Sequence, residues 1–266
     1  MPLVAITLLV TLAAGPTVAN TVESQPAEVQ QAEAQPLQEP RQPAPAGSDA
    51  TEEEKKPPTP LHTGIKALFV GLGHDFLHLP SPENGYLGLL GAGLALGAHH
   101  VDTSFNVRLG SHYTFVNTAF APAKYLGGTP IQAALSMGTY AYGRAFRKPK
   151  VSHFGMDMLR AQLLTEALVQ SLKFATRRER PDGSNSHSFP SGHAAITFAS
   201  ATVLQRHLGW KRSAVAYAVA TYIAASRLHD NRHYLSDVAF GAAVGAIAGR
   251  TVTQHGRESW AFVPVA

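Results

Sequence analysis

Beyond Leu61 the apolar residues do not alternate with polar ones; they gather in long runs broken by Gly, Pro and Asn, with small residues at many intervening positions. This spacing predicts helices over residues 62–77, 86–98, 129–145, 156–177, 193–208, 213–226 and 235–251. Few alternating β-branched runs compete with them, so the expected fold class is all-α, a bundle of closely packed helices. In the last helix Gly241, Gly245 and Gly249 recur every fourth residue and make one flat face that permits tight helix contact. In the helix over 156–177, Leu159, Leu163, Leu164, Leu168 and Leu172 form the expected core face. At 100° per residue Lys173 falls with Gln162 and Glu166 on a narrow polar stripe, pointing away from that core.

The first sixty residues read differently. Residues 3–14 are an apolar run, followed by Gly15-Pro16 and the small residues Thr17-Val18-Ala19, the pattern of a secretory signal peptide cleaved near Ala19, although no Lys or Arg precedes the run. From Asn20 to Pro60 the chain is rich in Pro, Gln, Glu and Ala and poor in large hydrophobes, so it buries too little surface to offset its ordering entropy. The expected organisation is therefore a signal peptide at 1–19, a disordered linker at 20–60 and one folded domain at 61–266, within the range for a single core. Charge follows the same division. Through Pro60 there are three basic and eight acidic residues, and beyond it nineteen basic and ten acidic. A basic domain favours anionic partners, namely phosphorylated small molecules or an anionic membrane surface. No basic stretch is interleaved with aromatics, which argues against nucleic acid. The absence of cysteine removes disulfides, thiolate catalysis and Cys-ligated metal.

Three segments of the second half carry chemistry when taken together. Lys173 is followed, after six residues, by Arg180-Pro181. Pro181 holds Arg180 extended and ends the helix, so two cations from one helix end can grip one phosphate, Arg as a bidentate fork and Lys as a point charge. By itself such a pair more often complements the helix dipole. Pro190-Ser191-Gly192-His193 opens an apolar helix, whose free N–H groups, with the Ser191 hydroxyl and the unobstructed backbone at Gly192, suit an anion. A nearby phosphate would keep His193 protonated; a plain N-terminal cap is the other reading. Ser226-Arg227, His233 and Asp237 form the third segment. His233 and Asp237 are four apart and share a helix face, so the carboxylate can accept from one imidazole nitrogen while the other stays nucleophilic.

With these spacings the chain resembles the type 2 phosphatidic acid phosphatase superfamily, which includes bacterial acid phosphatases and vanadium haloperoxidases. The resemblance covers Lys173 to Asp237, about a quarter of the chain. It implies a helical bundle of that kind and a phosphatase acting on lipid phosphates or soluble monoesters. His233 would attack phosphorus, Asp237 would orient it, and His193 would protonate the leaving alcohol and then activate water. Lys173, Arg180, Ser191, Gly192 and Arg227 would hold the non-reacting oxygens. The resemblance implies no metal and no cofactor. The signature of the class A acid phosphatases has Gly-Ser-Tyr and Thr where this chain has His187-Ser188-Phe189 and Ala194, so that subgroup is not expected.

Alternatives share the pocket: a vanadium-dependent haloperoxidase with His233 as vanadate ligand, a membrane-embedded lipid or isoprenyl pyrophosphate phosphatase, or an anion-binding module without turnover. Residues 213–225 and 238–249 give apolar runs of about 20 and 18 Å against a hydrocarbon core of about 30 Å, which favours a soluble or peripherally attached bundle. Arg206, His207, Lys211 and Arg212 lie at the end opposite the catalytic groups, as in an exported or membrane-associated protein with an outward-facing site. His99-His100 with Asp102, and His74-Asp75 with His78, have no matching second ligand cluster and read as surface or helix-end residues. Arg177, Arg178 and Glu179 read as a rim that attracts anions.

Overall fold

The structure, a computed structural model, describes residues 64–109 and 114–255. The expected signal peptide, the linker and His62, where the first helix was expected to begin, lie outside the described residues. Among the described residues every regular element is a helix: α1 (Ile65–His78), α2 (Pro82–His99), α3 (Asp102–Leu109), α4 (Thr114–Phe120), α5 (Ala123–Leu126), α6 (Thr129–Ala145), α7 (Pro149–Thr176), α8 (Gly192–Leu208), α9 (Trp210–His229) and α10 (Leu235–His255). All seven expected helices form. The three extra ones, α3 to α5, are short segments within the stretch between α2 and α6 where no helix was expected.

Local chemistry sets the ends. Ser81 caps α2 by accepting from the Asn84 N–H, with Pro82 in the first turn. Pro149 opens α7 seven residues before the expected start. That helix stops at Arg177, which adopts the left-handed conformation at φ 46° and ψ 37° and donates its N–H to the Lys173 carbonyl.

Helix α10 is the centre of the bundle, packed against α8, α2 and α7. Its glycine face works as expected: a Cβ at Gly241, Gly245 or Gly249 would lie 2.6, 2.0 or 2.7 Å from the carbonyl oxygens of Ser191, Ala195 and Ala199. The backbones of α10 and α8 are therefore in direct contact. Met158, Ala161 and Leu164 of α7 close one core cluster with Ala199, Val203, Ala248 and Val252. Helices α6 and α7 form an antiparallel hairpin in which Gly143 abuts Ser152 and Gly155 abuts Tyr140.

Several helices are turned with their polar residues inward. Helix α1 buries Asp75, α2 buries Asn84, Gly91 and Ala95, and α6 buries Gln132, Ser136 and Gly143. Their large apolar residues face out: Phe69, Leu89, Leu96, Leu135 and Met137 are 66, 71, 71, 56 and 57% exposed. The buried polar groups find partners within the bundle. Asn84 donates to the Thr251 hydroxyl at 2.8 Å, and Ser200 donates to Gln132 Oε1 at 2.9 Å. The same inversion corrects part of the expected faces of α7, where Leu164, Leu168 and Leu172 do pack in the core. Gln162 and Lys173 are buried whereas Leu163 is 40% exposed. Among the described residues α10, over Leu235–Gln254, is the one helix long and apolar enough by composition to cross a membrane, and 56% of its apolar window is buried inside the protein.

Because Gly245 leaves no room for a side chain, Gly245→Ala must drive α8 and α10 apart. It is expected to cost about 1–3 kcal/mol of stability, seen as a lower Tm by thermal unfolding, and an unchanged Tm would contradict the close contact.

Candidate active site

The C-terminus of α7, the N-terminus of α8, the C-terminus of α9 and the N-terminus of α10 meet at one end of the bundle, joined by the segments 177–191 and 230–234. The Ser191 N–H donates to the Asp237 carbonyl at 2.9 Å, which continues the glycine contact and pins the start of α8 to the start of α10.

His233 precedes α10 and is 3% exposed. Its Nδ1 lies 2.7 Å from the Ser188 carbonyl oxygen. A carbonyl only accepts, so Nδ1 carries the proton and Nε2 keeps its lone pair. Asp237 Oδ2 is 3.7 Å from Nδ1, beyond a hydrogen bond but close enough to favour an imidazolium. The expected direct bond from His233 to Asp237 thus becomes a two-part arrangement, in which the Ser188 carbonyl fixes the ring and the Ser188 hydroxyl donates to Asp237 Oδ2. Sequence reasoning missed Ser188 in this role because a backbone carbonyl leaves no trace in residue type. The Asn106 amide of α3 donates to the His233 carbonyl at 3.0 Å and steadies the same residue from behind.

Asp237 is fully buried and heavily satisfied. Arg178 Nη1 donates to Oδ1 at 2.7 Å and the Tyr234 N–H donates to Oδ2 at 2.8 Å. Two sequence expectations are corrected here. Arg178 is no rim: it also donates to Asp102 Oδ2 at 2.7 Å and stacks 4.2 Å over the Tyr234 ring. Asp102 is not a surface residue but 2% exposed, and its Oδ1 accepts from the Ser236 N–H at 2.9 Å. Both carboxylates then sit at the positive end of α10, where they are favoured. In the other expected surface cluster, Asp75 is likewise fully buried while His74 and His78 stay exposed.

The expected anion-holding groups gather at this same end. Lys173 is buried and donates to the His187 carbonyl at 2.7 Å. Arg227 is 6% exposed, bound through Nη2 to Asp230 at 2.7 Å and through Nε to the Ser226 hydroxyl at 3.1 Å. Ser191 Oγ and Arg180 Nε are buried without a hydrogen-bond partner. A buried unpaired donor costs about 1–3 kcal/mol, so each of these two groups at the same end of the bundle calls for an acceptor. Arg180 and Arg227 line a cavity of about 600 Å³ together with Asn117, Lys124, Asp230 and Arg232. Lys173, Ser191, Gly192, His193 and His233 are not among its walls. His193, in the first turn of α8, has Nε2 3.2 Å from the carbonyl of Lys124, one of the cavity residues. Gly192 would tolerate a Cβ at 3.6 Å from Val169, so packing against the protein is not what requires a glycine there.

Electrostatics divides the two imidazoles from ordinary histidines. Burial pushes His233 below its usual 6.5, against the opposing pull of Asp237. Burial first, then the Arg227 guanidinium, push His193 down to about 4. The protonated His193 expected beside a phosphate therefore depends on the anion itself, whose charge opposes both effects.

A family model described as the PAP2 superfamily matches residues 154–260, which include all three motifs. Over these residues the chain is similar to the PAP2 superfamily. A lipid A 1-phosphatase of Porphyromonas gingivalis is 38% identical over 126 residues, 45% of this chain and 27% of that protein. A decaprenylphosphoryl-5-phosphoribose phosphatase of Mycobacterium tuberculosis is 34% identical over 102 residues, 35% of this chain and 56% of that protein. The chain thus spans between about a quarter and about half of these curated relatives. Among solved structures, Aquifex aeolicus LpxE superposes with a TM-score of 0.50 at 25% identity, covering 58% of this chain and 95% of that one. The fold is also that of a transmembrane PAP2 type phosphatidylglycerolphosphate phosphatase from Bacillus subtilis, with a TM-score of 0.59 at 22% identity over 67% of this chain and 98% of that one. Asp102, Asn106 and Lys124 precede the matched PAP2 residues, so the helices before α7 complete the site from outside them.

A histidine whose value is lowered on folding loses its lone pair only when the pH falls through that lowered value. Turnover through His233 is therefore expected to keep the acid limb of kcat/KM below pH 6.5. An acid limb at or above 6.5 in a pH–rate profile would contradict the buried, neutral imidazole.

Proposed function

We propose that this chain is a phosphoric-ester hydrolase that cleaves phosphorylated lipids through a phosphohistidine at His233, with no metal in the chemical step. The observation that carries the reading is the pairing of a proton-fixed imidazole with unpartnered buried donors. Nδ1 is committed to the Ser188 carbonyl, so Nε2 is available for in-line attack, while Ser191 Oγ and Arg180 Nε await acceptor oxygens. Lys173, Arg227 and the Gly192 N–H complete the oxyanion cradle, and their positive charge stands in for a metal in balancing the transferring phosphoryl group. As the P–N bond forms, the imidazolium is stabilised by Asp237, and His193 gives its proton to the leaving alkoxide. His193 then accepts a proton from water as that water attacks phosphorus, breaking the P–N bond and restoring neutral His233.

A lipid substrate, and a membrane-embedded chain rather than a soluble bundle, are favoured by the inward polar and outward apolar faces of α1, α2 and α6. Exposed surfaces of this extent are unusual for a soluble monomer. Helix α2 has 18 residues and α10 has 21, so they rise about 27 and 31 Å, close to the hydrocarbon thickness. Arg144, Arg147, Lys148 and Lys150 at the α6–α7 turn join Arg206, Lys211 and Arg212 at the α8–α9 turn. Both turns are at the end away from the site, and their charge supports a cytoplasmic place for that end and an outer one for the site. In this reading residues 1–19 direct export and 20–60 tether the PAP2 domain.

One experiment addresses both parts: membranes washed with alkaline carbonate are assayed in EDTA with a lipid phosphate, for the wild type and His233→Ala. The protein is expected to stay in the membrane in both cases, with turnover at least about 10³-fold lower in the variant. Equal activity would reject the nucleophile, loss of activity in EDTA alone would reject metal independence, and release into the wash would reject the embedded reading.

A further inference from the structure

We propose that His153, Asp157 and His207 form a binding site for a divalent transition metal of the zinc class, which joins α7 to α8 at the bundle end opposite the phosphate pocket. His153 and Asp157 lie four residues apart on α7 and share a face, and His207 comes from the last turn of α8. One ligand atom from each lies within 4.8 Å of the other two. His207 Nε2 is 2.9 Å and His153 Nε2 is 3.4 Å from the same oxygen, Asp157 Oδ2. Metal–ligand bonds of about 2.0–2.2 Å in a tetrahedron set donor atoms about 3.3 Å apart, so small side-chain adjustments suffice. The two rings meet at 62° with centroids 5.6 Å apart, and both turn Nε2 to the same carboxylate oxygen.

The surroundings are those of a supported ligand set. Arg160 Nη1 holds the other carboxylate oxygen of Asp157 at 3.3 Å, leaving Oδ2 toward the imidazoles. Arg160 is in turn clamped by Asp75 at 2.6 and 2.9 Å, so the cluster has two carboxylates against one guanidinium and does not repel a cation. Asp157 is 1% exposed, while His153 and His207 are 20 and 19% exposed, which gives a dication an entry path and leaves a fourth position for water. Two imidazole nitrogens and one carboxylate suit zinc and its neighbours and disfavour magnesium and calcium, which take oxygen ligands. An ion pair alone needs only one imidazole for this carboxylate. The second one is what points to a metal. Because α7 and α8 carry Lys173 and Ser191 at their far ends, the ion would brace the helices without entering the reaction.

The test uses the full chain in detergent, stripped with EDTA and then titrated with Zn²⁺ or Mg²⁺ while Tm is followed. Zinc at about a hundredfold above its Kd is expected to raise Tm by about 5 °C or more, and magnesium is expected to leave it unchanged. The zinc-dependent rise should vanish in His153→Gln and in His207→Gln. His153→Gln keeps the shorter His207–Asp157 contact, so its loss of response is not a folding defect. Co²⁺ in place of zinc should give the visible absorption of a low-symmetry site in the wild type alone. No zinc response in the wild type, or a response retained by either variant, would overturn the proposal.

Discussion

The buried carboxylate of Asp237 is the constraint on which the site rests. An ionised group without access to water is tolerated only where its lone pairs are filled, and here Arg178, Ser188 and the Tyr234 N–H fill them. Two of these partners come from the segment between α7 and α8, which must be brought to α10, and the third from the residue just before α10. Satisfying this one charge draws in the segment after α7, and with it the Ser188 carbonyl that sets the His233 tautomer. Arg178 extends the same network to Asp102, so α3 is tied to the first turn of α10 by charge as well as by the packing of Phe105 and Leu109 against the cluster that includes Val238. Fold and chemistry are coupled through this network: the groups that neutralise Asp237 are also those that aim the imidazole.

Small residues make that convergence geometrically reachable. Without side chains at Gly241, Gly245 and Gly249, α8 lies directly on α10, and Ser191 and His193 arrive at the level of Asp237. Beside its apolar clusters the bundle interior holds polar contacts, such as Asn84 with Thr251 and Arg160 with Asp75, while Phe69, Leu89, Leu96 and Leu135 face outward. Such an arrangement is stable where the surroundings are themselves apolar, because burying leucine then gains little and pairing a polar group gains more.

Helix content, the glycine face and the three motif segments were legible because each is a local pattern: an apolar run, a four-residue repeat, a fixed spacing. Helices α3 to α5 were not, since eight, seven and four residues are too few to display a period. On α7 the leucines Leu164, Leu168 and Leu172 reach the core as expected, but one side of the helix was misjudged. Reading Leu163 as inside and Gln162 and Lys173 as outside assumes water around the helix, and the structure has them the other way about. A signal did exist in α2, where Asn84, Gly91 and Ala95 form a polar and small stripe at helical spacing. Asp102 and Arg178 were noticed but given other roles, because their partners are 134 and 59 residues away, a relation that spacing does not encode. Ser188 acts on His233 through its backbone, which residue identity never reveals.

The central claim is that His233 Nε2, Ser191 Oγ and Arg180 Nε face one tetrahedral oxyanion. The most direct measurement is an experimental structure with orthovanadate, whose trigonal-bipyramidal form resembles the phosphoryl transition state. The account predicts vanadium bonded to His233 Nε2, Ser191 and Arg180 on its equatorial oxygens, and His193 beside the apical oxygen opposite. Vanadate bound in the cavity without touching His233, or His233 turned so that Nε2 meets the Ser188 carbonyl, would contradict it.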